Sequence, residues 1–291
     1  MSVPSASDWE LDYYSRPILE ADGKKRWELL ICSTPQNGEP EPAFRWVQTC
    51  PAASVNSIWL REALEQAITQ AESQGLSRPR RLRCWRGAMR TMVQRAAEAL
   101  GIELIASRRC YALRNWLQQR EQAVYPHEEG YLAGPLAPPP EPIKAPPLPL
   151  PETARGQSWG WAQLQAGDLV EAQQWEIDFA GLIPLDPQLE PARVIPGIRL
   201  FGGPRALAIA GWLAGLEPVR LEVQGRQLVL EAGLDDRWLL SDLAETEAAQ
   251  ASEALEEARL QGQGLQFLAV QASPSDQRFS GFWMLRDLPD A

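Results

Sequence analysis

Eleven arginines and no lysine fall between residues 78 and 120, against two acids, Glu98 and Glu103. Guanidinium forks grip phosphate oxygens in pairs, so this composition points to binding of a polyanion. Aromatic rings lie among the arginines at Trp85, Tyr111 and Trp116. The face of such a ring stacks an unpaired base at roughly 1–3 kcal/mol. The predicted contacts are Arg81, Arg83, Trp85, Arg86 and Arg90 in one group, with Arg108, Arg109, Tyr111 and Arg114 in a second. Arginine with aromatics suits single-stranded RNA better than a duplex, whose grooves restrict side-chain access. The same composition also fits a solubilising face or a socket for an acidic protein surface. RNA and protein partners both stay open at this point.

A second chemistry to test is hydrolysis of nucleic acid by two metal ions, which needs three or four converging carboxylates. Glu10 and Asp12, two apart on an extended segment, share one face, and Glu62 could approach from a following helix. The next position fails. Residues 82–87 read LRCWRG, and the first acid after them is Glu98. Guanidinium groups at that place repel Mg²⁺, so Asp12 is expected to pair with Arg16 or Arg83. The chain is therefore read as non-enzymatic, and metal-dependent ribonuclease activity is the weakest alternative. Cys32, Cys50, Cys84 and Cys110 form no CxxC pair and the single histidine is His127, which predicts no zinc site and no cofactor. The thiols are expected to be buried in a reducing compartment, and His127 to be a solvated loop residue. Gly202 and Gly203 precede an apolar helix without the Lys-Ser/Thr of a phosphate loop, and no GxSxG or HExxH motif is present.

These groups need elements to place them. Residues 9–18 alternate, a turn signal follows at 21–23, and 26–33 and 44–49 give a second and a third strand. Apolar residues at 60, 64, 67, 68 and 71 have helical spacing and stop at Gly75. Then come a strand at 80–85, a helix at 89–100 closed by Gly101, a strand at 102–107 and a helix at 112–122. The order βββαβαβα predicts a ribonuclease-H-like mixed α/β sheet. Ligands of open α/β sheets gather at the carboxyl ends of the strands, where both arginine groups are expected to converge.

Residues 126–157 contain ten prolines in 32 positions, which predicts a semi-rigid spacer with neither sheet nor helix. The predicted domains are thus 1–125, a ribonuclease-H-like RNA-binding domain, and 158–291, an acidic α/β domain, joined by a linker at 126–157. In the C-terminal part, strands are expected at 174–182, 198–201, within 218–232, at 265–271 and at 282–286, with helices at 205–215 and 245–260. WEIDF at 175–179 echoes WELDY at 9–13, so a degenerate repeat of the first domain is an open alternative. Charge is split between the halves. Residues 1–120 hold 17 Lys and Arg against 13 Asp and Glu; residues 121–291 hold 11 against 25. Residues 1–9 show no secretory pattern and no apolar run is long enough to span a bilayer, which predicts no membrane insertion.

The segments WELDYYSRP at 9–17 and DGKKRWELL at 22–30 closely resemble the opening of the Tab-type chloroplast translation activators and their cyanobacterial homologues. Trp238, Leu239 and Leu240 resemble that family's C-terminal WLL tripeptide, and FWMLRD at 282–287 its closing strand. The motif positions are Trp9, Asp12, Arg16, Trp238, Leu239 and Leu240. The resemblance implies binding to leader regions of messages for photosystem reaction-centre proteins, support of photosystem I, and no enzymatic activity or cofactor. It also implies contacts with translation or photosystem assembly proteins. The missing transit peptide points to a cyanobacterium, with a cytoplasmic place that includes the thylakoid periphery. The rival reading is a protein-only photosystem assembly factor whose arginine patch docks a partner.

Overall fold

The computed structural model describes residues 8–35, 41–133 and 144–288. They fall into two compact units, one before and one after residues 134–143. The first unit holds strands β1 (Asp8–Leu19), β2 (Lys25–Ser33) and β3 (Arg45–Cys50), helix α1 (Ser57–Ser73), strand β4 (Arg81–Cys84), helix α2 (Arg90–Ala99), strand β5 (Glu103–Ala106) and helix α3 (Tyr111–Ala123). The element order is the one the hydrophobic pattern predicts. In the sheet the strands lie β3-β2-β1-β4-β5. β2 is antiparallel to both β1 and β3, while β4 is parallel to both β1 and β5. α1 begins where the Asn56 side chain accepts from the Ile58 and Trp59 N–H groups, both at 2.9 Å. Two of its orphan donors are met by that cap. It stops before Gly75, whose φ of 81° is left-handed and disfavours a β-carbon.

Alternation along β1 separates two cores. Trp9, Leu11 and Tyr13 pack with Leu29, Ile31, Leu60, Leu64, Ile68, Leu82 and Val93 under α1 and α2. Each such burial contributes about 1.5–3 kcal/mol. The opposite face carries Ile18, Leu30, Cys32, Cys110, Leu113, Leu117 and Tyr125 under α3. On that same face Glu10, Asp12 and Arg16 are also buried, with Tyr14 between them half-buried. The period of two thus sends one row of β1 side chains into an oily layer and the next into a charged one. All four cysteines are buried free thiols, and burial pushes Cys84 up to about 11, so the thiols are unreactive. His127 is exposed in a short helical turn.

The second unit comprises β6 (Leu148–Pro149), β7 (Ser158–Gln165), α4 (Ala166–Val170), β8 (Ile177–Gly181), β9 (Val194–Phe201), α5 (Ala206–Leu216), β10 (Pro218–Gln224), β11 (Gln227–Ala232), β12 (Asp236–Asp242), α6 (Glu245–Gln261), β13 (Leu265–Gln271) and β14 (Phe279–Arg286). Its sheets are ordered β7-β9-β13-β14-β8 and β10-β11-β12-β6. The helices and later strands follow the sequence reading, but β7 was not expected. Its sequence, SWGWAQLQ, mixes small, polar and aromatic residues because it is an edge strand with no fully buried position. The repeat alternative is corrected by topology. Trp9 to Tyr13 lies on central β1, whereas Asp178 and Phe179 of the echo lie on β8, an edge strand in a sheet of different order.

The proline-rich stretch is also more ordered at its ends than expected. Leu132 N donates to Pro17 O at 2.9 Å, and Tyr131 bridges Ile18. Leu148 and Pro149 pair with Trp238 and Leu239 of β12, and Leu150 is buried. A proline fits there because the strand is at a sheet edge, where its missing N–H costs no ladder bond. Residues 134–143 lie outside the described residues. Splitting the chain between Ala133 and Lys144 is expected to give two fragments, each with a cooperative thermal transition. A split after Pro149 should weaken the C-terminal fragment by removing β6. Loss of cooperative melting in both fragments of the first split would show one shared core.

Candidate nucleic-acid interface

Parallel pairing of β1 with β4 sets Leu11 opposite Cys84, so the chain leaving β4 at Trp85 and Arg86 passes beside Asp12. Arg86 Nε donates to Asp12 Oδ1 at 2.6 Å. Arg16 Nη1 lies 2.8 Å from Asp12 Oδ2, and its Nε donates to Glu28 Oε2 at 3.3 Å. Glu28 also accepts from Tyr125 OH at 2.7 Å and from Arg120 Nη2 at 3.2 Å. Asp12 is wholly buried, and Arg16 and Glu28 are each 3% exposed. Burial of these carboxylates is tolerable because each is met by charged donors.

Aromatic rings frame the outer arginine. The Arg86 guanidinium lies 4.1 Å from the ring centre of Tyr14 and 4.1 Å from that of Trp85. Arg114 lies 5.2 Å from the Trp85 ring centre. Such contacts contribute about 0.5–2 kcal/mol apiece, more as water is excluded. The result is a ladder of ring and cation at the carboxyl end of β4, beside the middle of β1. Arg90, at the start of α2, is exposed beside it in sequence, and Arg108 is half-buried after β5.

The expected convergence of arginines is only partly present. Arg81 and Arg83 of β4 are both drawn to Asp8, which takes Arg81 Nε and Nη2 at 2.8 and 2.7 Å and Arg83 Nη1 at 2.9 Å. Asp12 therefore pairs with Arg16 as expected, but Arg83 belongs to Asp8. Arg83, Arg109 and Tyr111 are 8%, 9% and 7% exposed, so they support the surface from beneath. Trp85 was expected to stack a base, yet its ring already meets two guanidinium groups. Tyr14 was missed, although it sits two residues beyond Asp12 and hence on the same face. Trp116, named among the aromatics, has Arg45 and Arg120 at 5.6 and 6.0 Å.

The carboxylate geometry is equally specific. Glu10 is wholly enclosed and accepts from Leu113 N at 2.9 Å, and burial pushes its carboxyl up to about 7. Glu62 is exposed on α1, across the sheet from Asp12. Both oxygens of Asp12 face guanidinium groups. Among the motif residues, Trp9 is a core residue stacked on Phe44 at 5.1 Å. In the second unit Trp238 meets Trp212 edge-on at 5.2 Å, while Leu239 and Leu240 are half-buried on β12.

Residues 8–120 match the family described as "RNA-binding protein Tab2/Atab2 N terminal", and residues 138–286 match "RNA-binding protein Tab2/Atab2, C-terminal domain". The Zea mays "Protein TAB2 homolog, chloroplastic" is 35% identical over 296 aligned residues, covering 98% of this chain and 73% of that protein. The Arabidopsis thaliana protein of the same description is 32% identical over 98% of this chain and 76% of its own length. A chain in the simian T-cell lymphotropic virus intasome with PP2A regulatory subunit B56 gamma aligns at a TM-score of 0.29, with 12% identity over 56% of this chain and 63% of that one. At that score the likeness carries no argument about fold.

Proposed function

Because this chain belongs to the Tab2/Atab2 family of RNA-binding proteins, we propose that it binds single-stranded RNA through its N-terminal domain in support of photosystem reaction-centre synthesis. The observation that carries this reading is that both halves match a family described by RNA binding, at 32–35% identity to two TAB2 homologues. The RNA is a message leader, and the protein products served are above all those of photosystem I. The surface that receives it is the arginine and aromatic end of β4 and β5, beside the middle of β1, around Trp85, Arg86, Arg90, Arg108 and Arg114. The strand order β3-β2-β1-β4-β5 supports the ribonuclease-H-like reading of this domain. Where such a fold would collect metal-binding carboxylates, Asp12 is bound to Arg16 and Arg86, which supports a binding role without catalysis. The acidic C-terminal domain contacts translation or assembly proteins. The chain works in the cytoplasm of a cyanobacterium, at or near the thylakoid surface, and no helix among the described residues is long and apolar enough to cross a membrane.

Binding of a mixed-sequence single-stranded oligoribonucleotide across a salt series tests the reading. Each phosphate contact adds roughly 0.7 to the log–log salt slope. Replacing Arg90 by Ala is expected to reduce that slope by about 0.7 while leaving the melting temperature near that of the parent. A chain that retains no RNA at low salt would favour the protein-only assembly factor.

A further inference from the structure

We infer that Arg86 is the principal phosphodiester contact of the N-terminal domain, and that Asp12, Tyr14 and Trp85 are positioning residues that fix its guanidinium plane. This rests on the reading of that domain as an RNA binder.

Three observations point to Arg86. Its Nε is committed to Asp12 at 2.6 Å, and its plane is held between two rings at 4.1 Å each. Its Nη groups have no hydrogen-bond partner among the described residues, and the side chain keeps 18% exposure at the surface. A free surface arginine loses rotamer freedom on being fixed, whereas this one is already held in the unbound protein. Its remaining donors form the edge of a planar fork, the shape that takes two oxygens of one phosphate.

Asp12 is wholly buried and meets Arg16 and Arg86, so it acts on the RNA only through Arg86.

The test uses the full chain with the same oligoribonucleotide. Arg86→Lys keeps the charge that Asp12 needs but lacks the planar fork, so it should fold and bind about tenfold more weakly. Arg86→Gln removes the guanidinium and leaves Asp12 paired with Arg16 at 2.8 Å, so no buried charge is stranded. It should melt near the parent and lose about 0.7 from the salt slope. A third measurement needs no variant: RNA should protect Arg86 of the native protein from phenylglyoxal, read by mass spectrometry. Arg86→Lys binding as tightly as the parent, a folded Arg86→Gln variant with the parental slope, or Arg86 modified equally fast with and without saturating RNA would each overturn the inference. With RNA binding by the parent intact, those results remove only the role of Arg86. No RNA binding by the parent removes the functional reading and this inference together, and protection by an acidic peptide but not by RNA assigns the site to a protein.

Discussion

Replacing Asp12 by Ala should lower the unfolding free energy of the N-terminal domain by about 3–5 kcal/mol, measured as a shift in the urea midpoint. The cost follows from what is left behind. Arg16 is 3% exposed and would lose the carboxylate 2.8 Å from its Nη1, while Arg86 would lose the acceptor of its Nε at 2.6 Å. Removing one member of a buried ion cluster leaves the others uncompensated, which costs far more than the net contribution of the intact pair. Asp12→Asn should cost less, since an amide oxygen still accepts from one guanidinium. If Asp12 were instead a metal ligand, its replacement would abolish Mg²⁺- or Mn²⁺-dependent RNA cleavage with little effect on melting. That outcome would reverse the non-catalytic reading.

The second large effect concerns pH. Glu10 is wholly enclosed between β1 and α3, and burial raises its carboxyl from 4.5 to about 7. The folded state therefore holds a proton that the unfolded state has released across that interval, so stability falls as pH rises from about 4.5 through 7. The shift corresponds to about 3 kcal/mol, lost in full above the folded value. Glu10→Gln keeps an oxygen for the Leu113 N–H without the ionisation. Relative to the parent, the variant should gain about 3 kcal/mol between pH 4.5 and pH 8, read from urea midpoints at each pH. Parallel pH profiles for the two proteins would mean that Glu10 reaches water.

Much of the architecture is local in origin and was legible. β1 alternates in its first half because its two faces meet an apolar and a charged layer, β2 is apolar over consecutive residues because both of its faces are buried, and α1 repeats its apolar residues because one stripe is buried. Gly75 and Gly101 follow helices at positive φ, a region that glycine enters without the steric cost of a β-carbon. What failed was local in signal but not in cause. β7 has no buried stripe because it lies at a sheet edge, and Leu148 and Pro149 become strand only through β12, about ninety residues away in sequence.

The candidate site divides along the same line. Composition alone placed arginine and aromatic residues in one stretch, because charge and ring chemistry belong to the residues themselves. Whether a given arginine can meet RNA was decided by partners 73 to 75 positions earlier in the chain, Asp8 for Arg81 and Arg83 and Asp12 for Arg86. Those partners are selected by the parallel register of β1 with β4, which sets Asp8 opposite Arg81 and Leu11 opposite Cys84. A shift of one residue would turn each side chain to the other face and redistribute every ion pair. The sequence by itself determined which chemical groups are present and the order of elements that carries them. Only the tertiary structure decided which arginines are consumed inside the protein, because a register between strands joined by a long crossover is set by packing and leaves no mark on either strand alone.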